Sequence, residues 1–243
     1  MIKTAPIKTV MVMAAGHGTR MRPLTNDRSK AMVEVAGRPL IDHMLDRLAE
    51  AGVERAIVNV HAHADHLEVH LAKRKSGPEI IISDERTELL ETGGGVVKAL
   101  PLLGDDPIFI CNIDAIWHPF EPVLETLIQH WNPQKMDELL LCARADWSLG
   151  YAGKGDFNIH DDARLTRRDG EIAKHVYAGV QIFKPDLATP FKIERFSRNK
   201  IWDETLRRRK LFGVELPGYW MHVGDPRAVT AAEAVLKEAA KNG

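Results

Sequence analysis

The sequence predicts an α/β fold built on a doubly wound, mostly parallel sheet, and three observations carry that expectation. Strand-like apolar runs alternate with helix-like periodicity through the first 145 residues. The first run passes straight into a glycine turn rich in basic residues. A later run ends just before Asp114. In doubly wound sheets ligands collect at the carboxyl ends of the strands, and both features fall on that edge.

The elements follow in order. Residues 9–14 form a hydrophobic strand that runs into Gly16-His17-Gly18-Thr19-Arg20-Met21-Arg22. Gly16 and Gly18 remove the Cβ atoms that would hold backbone N–H groups away from an anion, so the turn can form a nest. Arg20 and Arg22 can grip oxygens in forked geometry, while Lys30 adds a compact point charge. Together these suit a bound triphosphate. The turn is not G-x-x-x-x-G-K-[ST], and Met21 holds the last glycine position of G-x-G-x-x-G. Leu40, Ile41, Met44, Leu45, Leu48 and Ala49 recur at helical spacing up to Gly52. Strands are then predicted at 56–60, 80–83, 107–112 and 138–143, with helices at 64–75, 94–103 and 121–131. The run Gly93 to Gly95 before a helix allows close approach to a flat ligand. Glu91 and Thr92 either cap that helix or meet the same ligand. Asp114, following a strand, is either a turn former or a carboxylate for a divalent cation beside the phosphates. From about residue 146 the alternation weakens into short strands and turns, closing in an alanine-rich helix over 226–240.

Composition narrows the class. With 243 residues, 44% hydrophobic and 28% charged, the chain suits a soluble globular domain with a full core. A net charge of -1 gives no overall pull toward nucleic acid or membrane, so any basic site is local. No stretch reaches the length of a membrane span and the start lacks an apolar signal core, so a cytoplasmic location is expected. Cys111 and Cys142 lie in apolar runs and read as reduced core residues. His61, His63, His66 and His70 near a helix start, and Arg207-Arg-Arg-Lys210, read as solvated surface.

Ala14-Ala-Gly-x-Gly-Thr-Arg-Met-x-Pro-Leu-Thr25 followed by Lys30 resembles the signature of the sugar-1-phosphate nucleotidyltransferases, the nucleotide-sugar pyrophosphorylases. The family's P-K-P is here Ser29-Lys30-Ala31. Further matches run at Glu91-Thr-Gly-Gly-Gly95, Asn112-Ile-Asp114, Gly155-Asp-Phe157, Tyr177-Ala-Gly179 and Trp220-Met-His-Val-Gly224. The shared E-T-G-G-G and G-D-F are most similar to short bacterial members that act on N-acetylmuramate 1-phosphate in cell-wall recycling.

The resemblance implies a Rossmann-like, glycosyltransferase-A-like nucleotidyltransferase fold in one domain, residues 1–243. About 1–145 would bind nucleotide and about 146–243 the sugar. It implies that Ala14, Ala15, Gly16, Gly18, Thr19, Arg20, Lys30, Glu91, Thr92, Gly93 and Asn112 face the nucleotide. Asn112, Asp156, Glu171 and Gly179 would face the sugar, with Tyr177 as pocket wall. Arg20, Lys30 and Asp114 would carry catalysis. Asp114 would hold Mg²⁺ or Mn²⁺. Where the family has its second metal carboxylate this chain has His222, so the second ligand is His222, the nearby Asp225 or water; imidazole suits Mn²⁺ or Zn²⁺ better than Mg²⁺. The expected partners are a nucleoside triphosphate, UTP first, and a sugar 1-phosphate, with no nucleic acid and no membrane. Alternatives are a mannose-1-phosphate guanylyltransferase, a heptose-phosphate relative, or a catalytically silent nucleotide-sugar sensor. The sugar phosphate is already an anion, so no general base is expected.

Overall fold

The computed structural model of the chain describes residues 6–119 and 122–242. The first five residues lie outside the described residues, as does Glu121, where the sequence starts the helix expected at 121–131. The first half comprises β1 (Thr9–Met13), the short β2 (Glu34–Val35) and β3 (Arg38–Pro39), α1 (Leu40–Glu50), β4 (Arg55–Val60), α2 (Ala64–Leu71), β5 (Glu79–Asp84), α3 (Glu91–Leu103), β6 (Ile108–Asn112), β7 (Ala115–Pro119), α4 (Val123–His130) and β8 (Glu138–Arg144). The second half adds β9 (Ser148–Leu149), β10 (Phe157–Ile159), β11 (Leu165–Arg167), β12 (His175–Phe183), α5 (Asn199–Arg207), β13 (Leu211–Glu215), β14 (Gly218–His222) and α6 (Pro226–Asn242).

The main sheet runs β11-β10-β12-β6-β1-β4-β5, with β8 beside β12 and β13 beside β8. β1 pairs parallel to both β4 and β6, and β4 pairs parallel to β5. Burial on both faces explains why β1, β4 and β6 are near-continuous apolar runs. Val10 and Val12 join one core with Leu45 of α1, Leu67 of α2, Leu127 of α4 and Ala232 of α6. Met11 points the other way, to Val96 and Ala99 of α3 and Ile201 of α5. Each such large side chain contributes about 1.5–3 kcal/mol when fully buried.

Two expectations need correction. α2 ends at Leu71 rather than 75, because Arg74 turns back onto α1 and pairs with Asp42 and, at 2.6 Å, Asp46. The second half is also less loop-like than the sequence suggests. β12 lies inside the main sheet, antiparallel to both β6 and β8. Its register shifts between Tyr177 and Gln181, around Gly179 at φ 86°, and that break disguises one long strand as a turn. The fold is thus a parallel-rich mixed sheet with helices on both faces.

Candidate active site

The order in which strands are added to the sheet reverses beside β1, with β4 on one side and β6 on the other. That switch point is where open α/β sheets leave a crevice. A cavity of about 410 Å³ opens there. Met13 to Gly16 form one wall and Asn112 to Asp114 another, while Lys30, Asn59, Glu91, Thr92 and Ser197 close the rest.

The glycine turn is held locally. Gly18 sits at φ 62°, and a Cβ there would stand 2.9 Å from Lys30 Cβ. Its carbonyl accepts bonds from the Met21 amide and the Thr25 hydroxyl, each at 2.8 Å. Glycine is therefore needed to seat Lys30. The Ala14 and Ala15 amides donate to Asn59 Oδ1 at 2.6 and 3.1 Å, so an anion nest here begins only at Gly16. Thr19 and Arg20 are exposed on a short 3-10 turn, away from the cavity wall, and Arg20 joins none of the ion pairs among the described residues.

Asn59 is a pocket residue that sequence reasoning missed. Its Nδ2 donates to Glu85 Oε1 at 2.7 Å, and Glu85 Oε2 accepts the Leu90 amide at 3.1 Å. This buried relay ties the turn after β1 to the start of α3. The visible signal is a polar residue inside the apolar run of β4.

The glycine triplet is also corrected. It lies within the first turns of α3, not before it, and protein groups fill the space where side chains would stand. A Cβ on Gly93 would meet the Phe196 ring at 2.3 Å, one on Gly94 the Glu194 carbonyl oxygen at 2.0 Å, and one on Gly95 Glu85 Oε1 at 2.7 Å. The triplet lets residues 194–198 lie against the helix. Glu91 and Thr92 do not cap it. Glu91 pairs with Arg195 at 2.9 Å, and Thr92 Oγ1 accepts the Arg198 amide at 2.9 Å.

Asp114 is the electrostatic centre. Lys30 Nζ stands 2.5 Å from Asp114 Oδ2, and His222 Nε2 stands 3.3 Å from the same oxygen. Burial works against ionisation of this carboxyl, but Lys30 and His222 outweigh it and hold it well below the usual carboxylate range. The imidazole is fixed by its neighbours. It stacks on Trp220 at 5.6 Å and 13° between planes, and Gly224 leaves room for its edge. Asp225 Oδ1 accepts the Ala228 amide at 2.9 Å as the cap of α6. The donor set therefore fits a divalent cation as an open site of one carboxylate and one imidazole, completed by phosphate and water oxygens.

The expected sugar residues are more dispersed. Asn112 lines the cavity, and its Oδ1 is buried without a partner. Asp156 Oδ2 accepts the Tyr177 amide at 3.0 Å. A Cβ on Gly179 would lie 2.7 Å from Ala115 Cβ, so this glycine packs β12 against the start of β7. Glu171 is exposed, and neither it, Asp156 nor Gly179 lines the cavity. The histidines are partnered separately: His61 Nδ1 with Glu85 O at 2.7 Å, and His70 with Asp42 at 2.9 Å. Cys111 and Cys142 are buried, and burial pushes both thiols up.

A family model described as Nucleotidyl transferase matches residues 9–149. The chain is 49% identical over 237 residues to the N-acetylmuramate alpha-1-phosphate uridylyltransferase of Caulobacter vibrioides, covering 96% of this chain and 98% of that one. It is 29% identical to the mannose-1-phosphate guanylyltransferase catalytic subunit beta of Drosophila melanogaster, across 89% of this chain and 59% of that one. The inositol-1-phosphate CTP transferase from T. maritima has a TM-score of 0.79 at 16% identity, covering 97% of this chain and 98% of that one. For a UDP-glucose pyrophosphorylase complexed with UDP-glucose the TM-score is 0.78 at 14% identity, covering 96% and 99%. At those identities the likeness shows the fold, the expected glycosyltransferase-A-like one. The chain belongs to the nucleotidyl transferase family and is a sugar-1-phosphate nucleotidyltransferase.

Proposed function

We propose that the chain transfers a uridylyl group from UTP to N-acetylmuramate 1-phosphate, giving the UDP-sugar and pyrophosphate. The observation that carries this is the 49% identity to a uridylyltransferase of that substrate along nearly the whole of both chains. A sugar-phosphate oxygen attacks the α-phosphorus, a P–O bond forms, and the bond to the β-phosphate oxygen breaks in line. The nucleophile is already an anion, so catalysis is alignment and charge stabilisation. Lys30 offsets charge on the phosphates and on the departing pyrophosphate, with Arg20 reaching in from the exposed turn. Asp114 and His222 would hold the divalent cation, Mg²⁺ in this reading, which would supply Lewis-acid stabilisation at the phosphates. Asn112 orients the substrates, and Asp156, Glu171 and Gly179 belong to the sugar side of one functional unit.

The reading includes a place in peptidoglycan recycling and a cytoplasmic location. Among the described residues no helix is long and apolar enough to cross a membrane. The test is pyrophosphate release from a panel of four nucleoside triphosphates against several sugar 1-phosphates. UTP with N-acetylmuramate 1-phosphate should be the best pair. A preference for GTP with a mannose or heptose phosphate would overturn the substrate assignment, and no release with any pair would leave a nucleotide-sugar sensor.

A further inference from the structure

A buried guanidinium is costly unless something pairs with it. Arg198 is 3% exposed, its Nε and Nη1 have no hydrogen-bond partner, and it joins none of the ion pairs among the described residues. It is held against the pocket wall by backbone bonds. Gly93 N donates to Phe196 O at 2.9 Å, Phe196 N to Leu90 O at 3.2 Å, and Arg198 N to Thr92 Oγ1 at 2.9 Å. Its neighbours Ser197 and Thr92 both line the cavity.

The surroundings of Arg198 define what could pair with it. The guanidinium carbon lies over the Tyr177 ring at 5.2 Å and the Trp202 ring at 5.1 Å, two rings that meet edge to face at 4.9 Å and so form a corner on one side of it. The Tyr177 hydroxyl and Asn112 Oδ1 are also buried and unpartnered. Asn112 alternates with Cys111 along β6, which puts it on the same sheet face as Ile110, the face covered by α3 and α5. The buried carboxyl that feels the Arg198 charge, Glu138, is already engaged. Glu138 is fully buried, its Oε1 accepting from Thr205 at 2.7 Å and its Oε2 from Gln181 at 2.6 Å. Burial pushes its carboxyl up to about 7, so it is incompletely ionised at neutral pH.

The missing partner is an acceptor with two coplanar oxygens. A carboxylate matches the planar fork of a guanidinium that has Nε and Nη1 still to satisfy. It also carries a single charge, which an apolar wall tolerates better than a phosphate dianion. We propose that Arg198, with the Tyr177 hydroxyl beside it, is a specificity-determining residue that binds a carboxylate carried by the sugar phosphate, entering between Ser197 and Asn112. This rests on the substrate reading above, since N-acetylmuramate differs from N-acetylglucosamine by a lactyl ether that bears a carboxylate.

The experiment compares kcat/KM for N-acetylmuramate 1-phosphate and N-acetylglucosamine 1-phosphate, with UTP, in the wild type, Arg198→Met, Arg198→Lys and Tyr177→Phe. The wild type should favour the carboxylated sugar. Arg198→Met should lower that preference by about 10- to 100-fold, the loss expected when charge-assisted hydrogen bonds are removed. Arg198→Lys should restore part of it, and Tyr177→Phe should lower it by less. A wild type with no preference overturns the inference and the substrate reading together. A preference that survives in Arg198→Met, or an equal loss on both sugars, overturns the inference alone and leaves Arg198 a structural partner of Glu138. If Arg198→Met does not fold, Tyr177→Phe decides, and undiminished preference in that variant overturns the inference.

Discussion

The turn after β1 and the loop between β9 and β10 both depend on a glycine at positive φ, Gly18 at 62° and Gly155 at 75°. They are held by different means. Gly18 is fixed by Met21, Thr25 and Lys30, all close to it in the chain. Gly155 is fixed from farther away. A Cβ there would stand 2.1 Å from the Ala173 carbonyl oxygen, and its amide donates to the Tyr151 hydroxyl at 3.0 Å. Tyr151 in turn leans on Trp220 at 6.0 Å, and Trp220 stacks on His222. One side of the site is set by local backbone geometry, and the other by side chains that meet only in the folded molecule. Damage to the first should strike phosphate chemistry, whereas damage to the second should strike sugar binding and stability.

The largest effect should come from Asp114→Ala. Loss of the carboxylate that anchors the cation should lower kcat by about 10³-fold or more, without recovery at raised Mg²⁺. Cation binding should fall in parallel, read as Mn²⁺ paramagnetic resonance in the presence of UTP. Lys30→Ala comes next, at about 2–4 kcal/mol of transition-state stabilisation. Its melting temperature should stay near that of the wild type. Near-normal turnover in folded Lys30→Ala would remove the phosphate chemistry from the turn after β1 and break the comparison, and near-normal turnover in folded Asp114→Ala would remove the cation from this carboxylate.

The same contrast governs what the sequence makes legible. The strand, the glycines and Lys30 lie within one short motif, and period-2 and period-3.6 patterns place the strands and helices around it. What stays hidden depends on distant meetings. Nothing local says that Asn59 would take up the Ala14 and Ala15 amides, or that Phe196 and Glu194 would pack against the glycine triplet. β12 reads as turns because its glycine interrupts an otherwise buried strand. The cap role of Asp225 emerges only once α6 is seen to begin at Pro226.

A smaller effect lies behind the sugar side. Glu138 is raised from 4.5 to about 7 by burial, against hydrogen bonds from Thr205 and Gln181 and the Arg198 charge. The folded state holds this proton more tightly than the unfolded chain. Its contribution is therefore fully present below the unfolded value and is lost as pH rises through about 7. Urea melts of the wild type at pH 5 and pH 8.5 should differ by up to about 3 kcal/mol more than those of Glu138→Gln. Equal slopes in the two proteins would show that the carboxyl ionises as freely inside the fold as outside it.

The smallest effect discriminates best between the two regions. Tyr151→Phe keeps the ring against Trp220 and removes only the hydroxyl that receives the Gly155 amide. A single hydrogen bond of this kind is worth about 0.5–1.5 kcal/mol. Because Gly155 precedes Asp156, whose carboxylate accepts the Tyr177 amide, loosening it should disturb the sugar side first. The KM for the sugar phosphate should rise by about 2- to 10-fold, with the KM for UTP and kcat close to wild type. Initial-rate kinetics with each substrate varied in turn reads this directly. Equal rises in both KM values would mean that the two regions respond as one, because strain at Gly155 would then be reaching the phosphate turn through Trp220, His222 and Asp114.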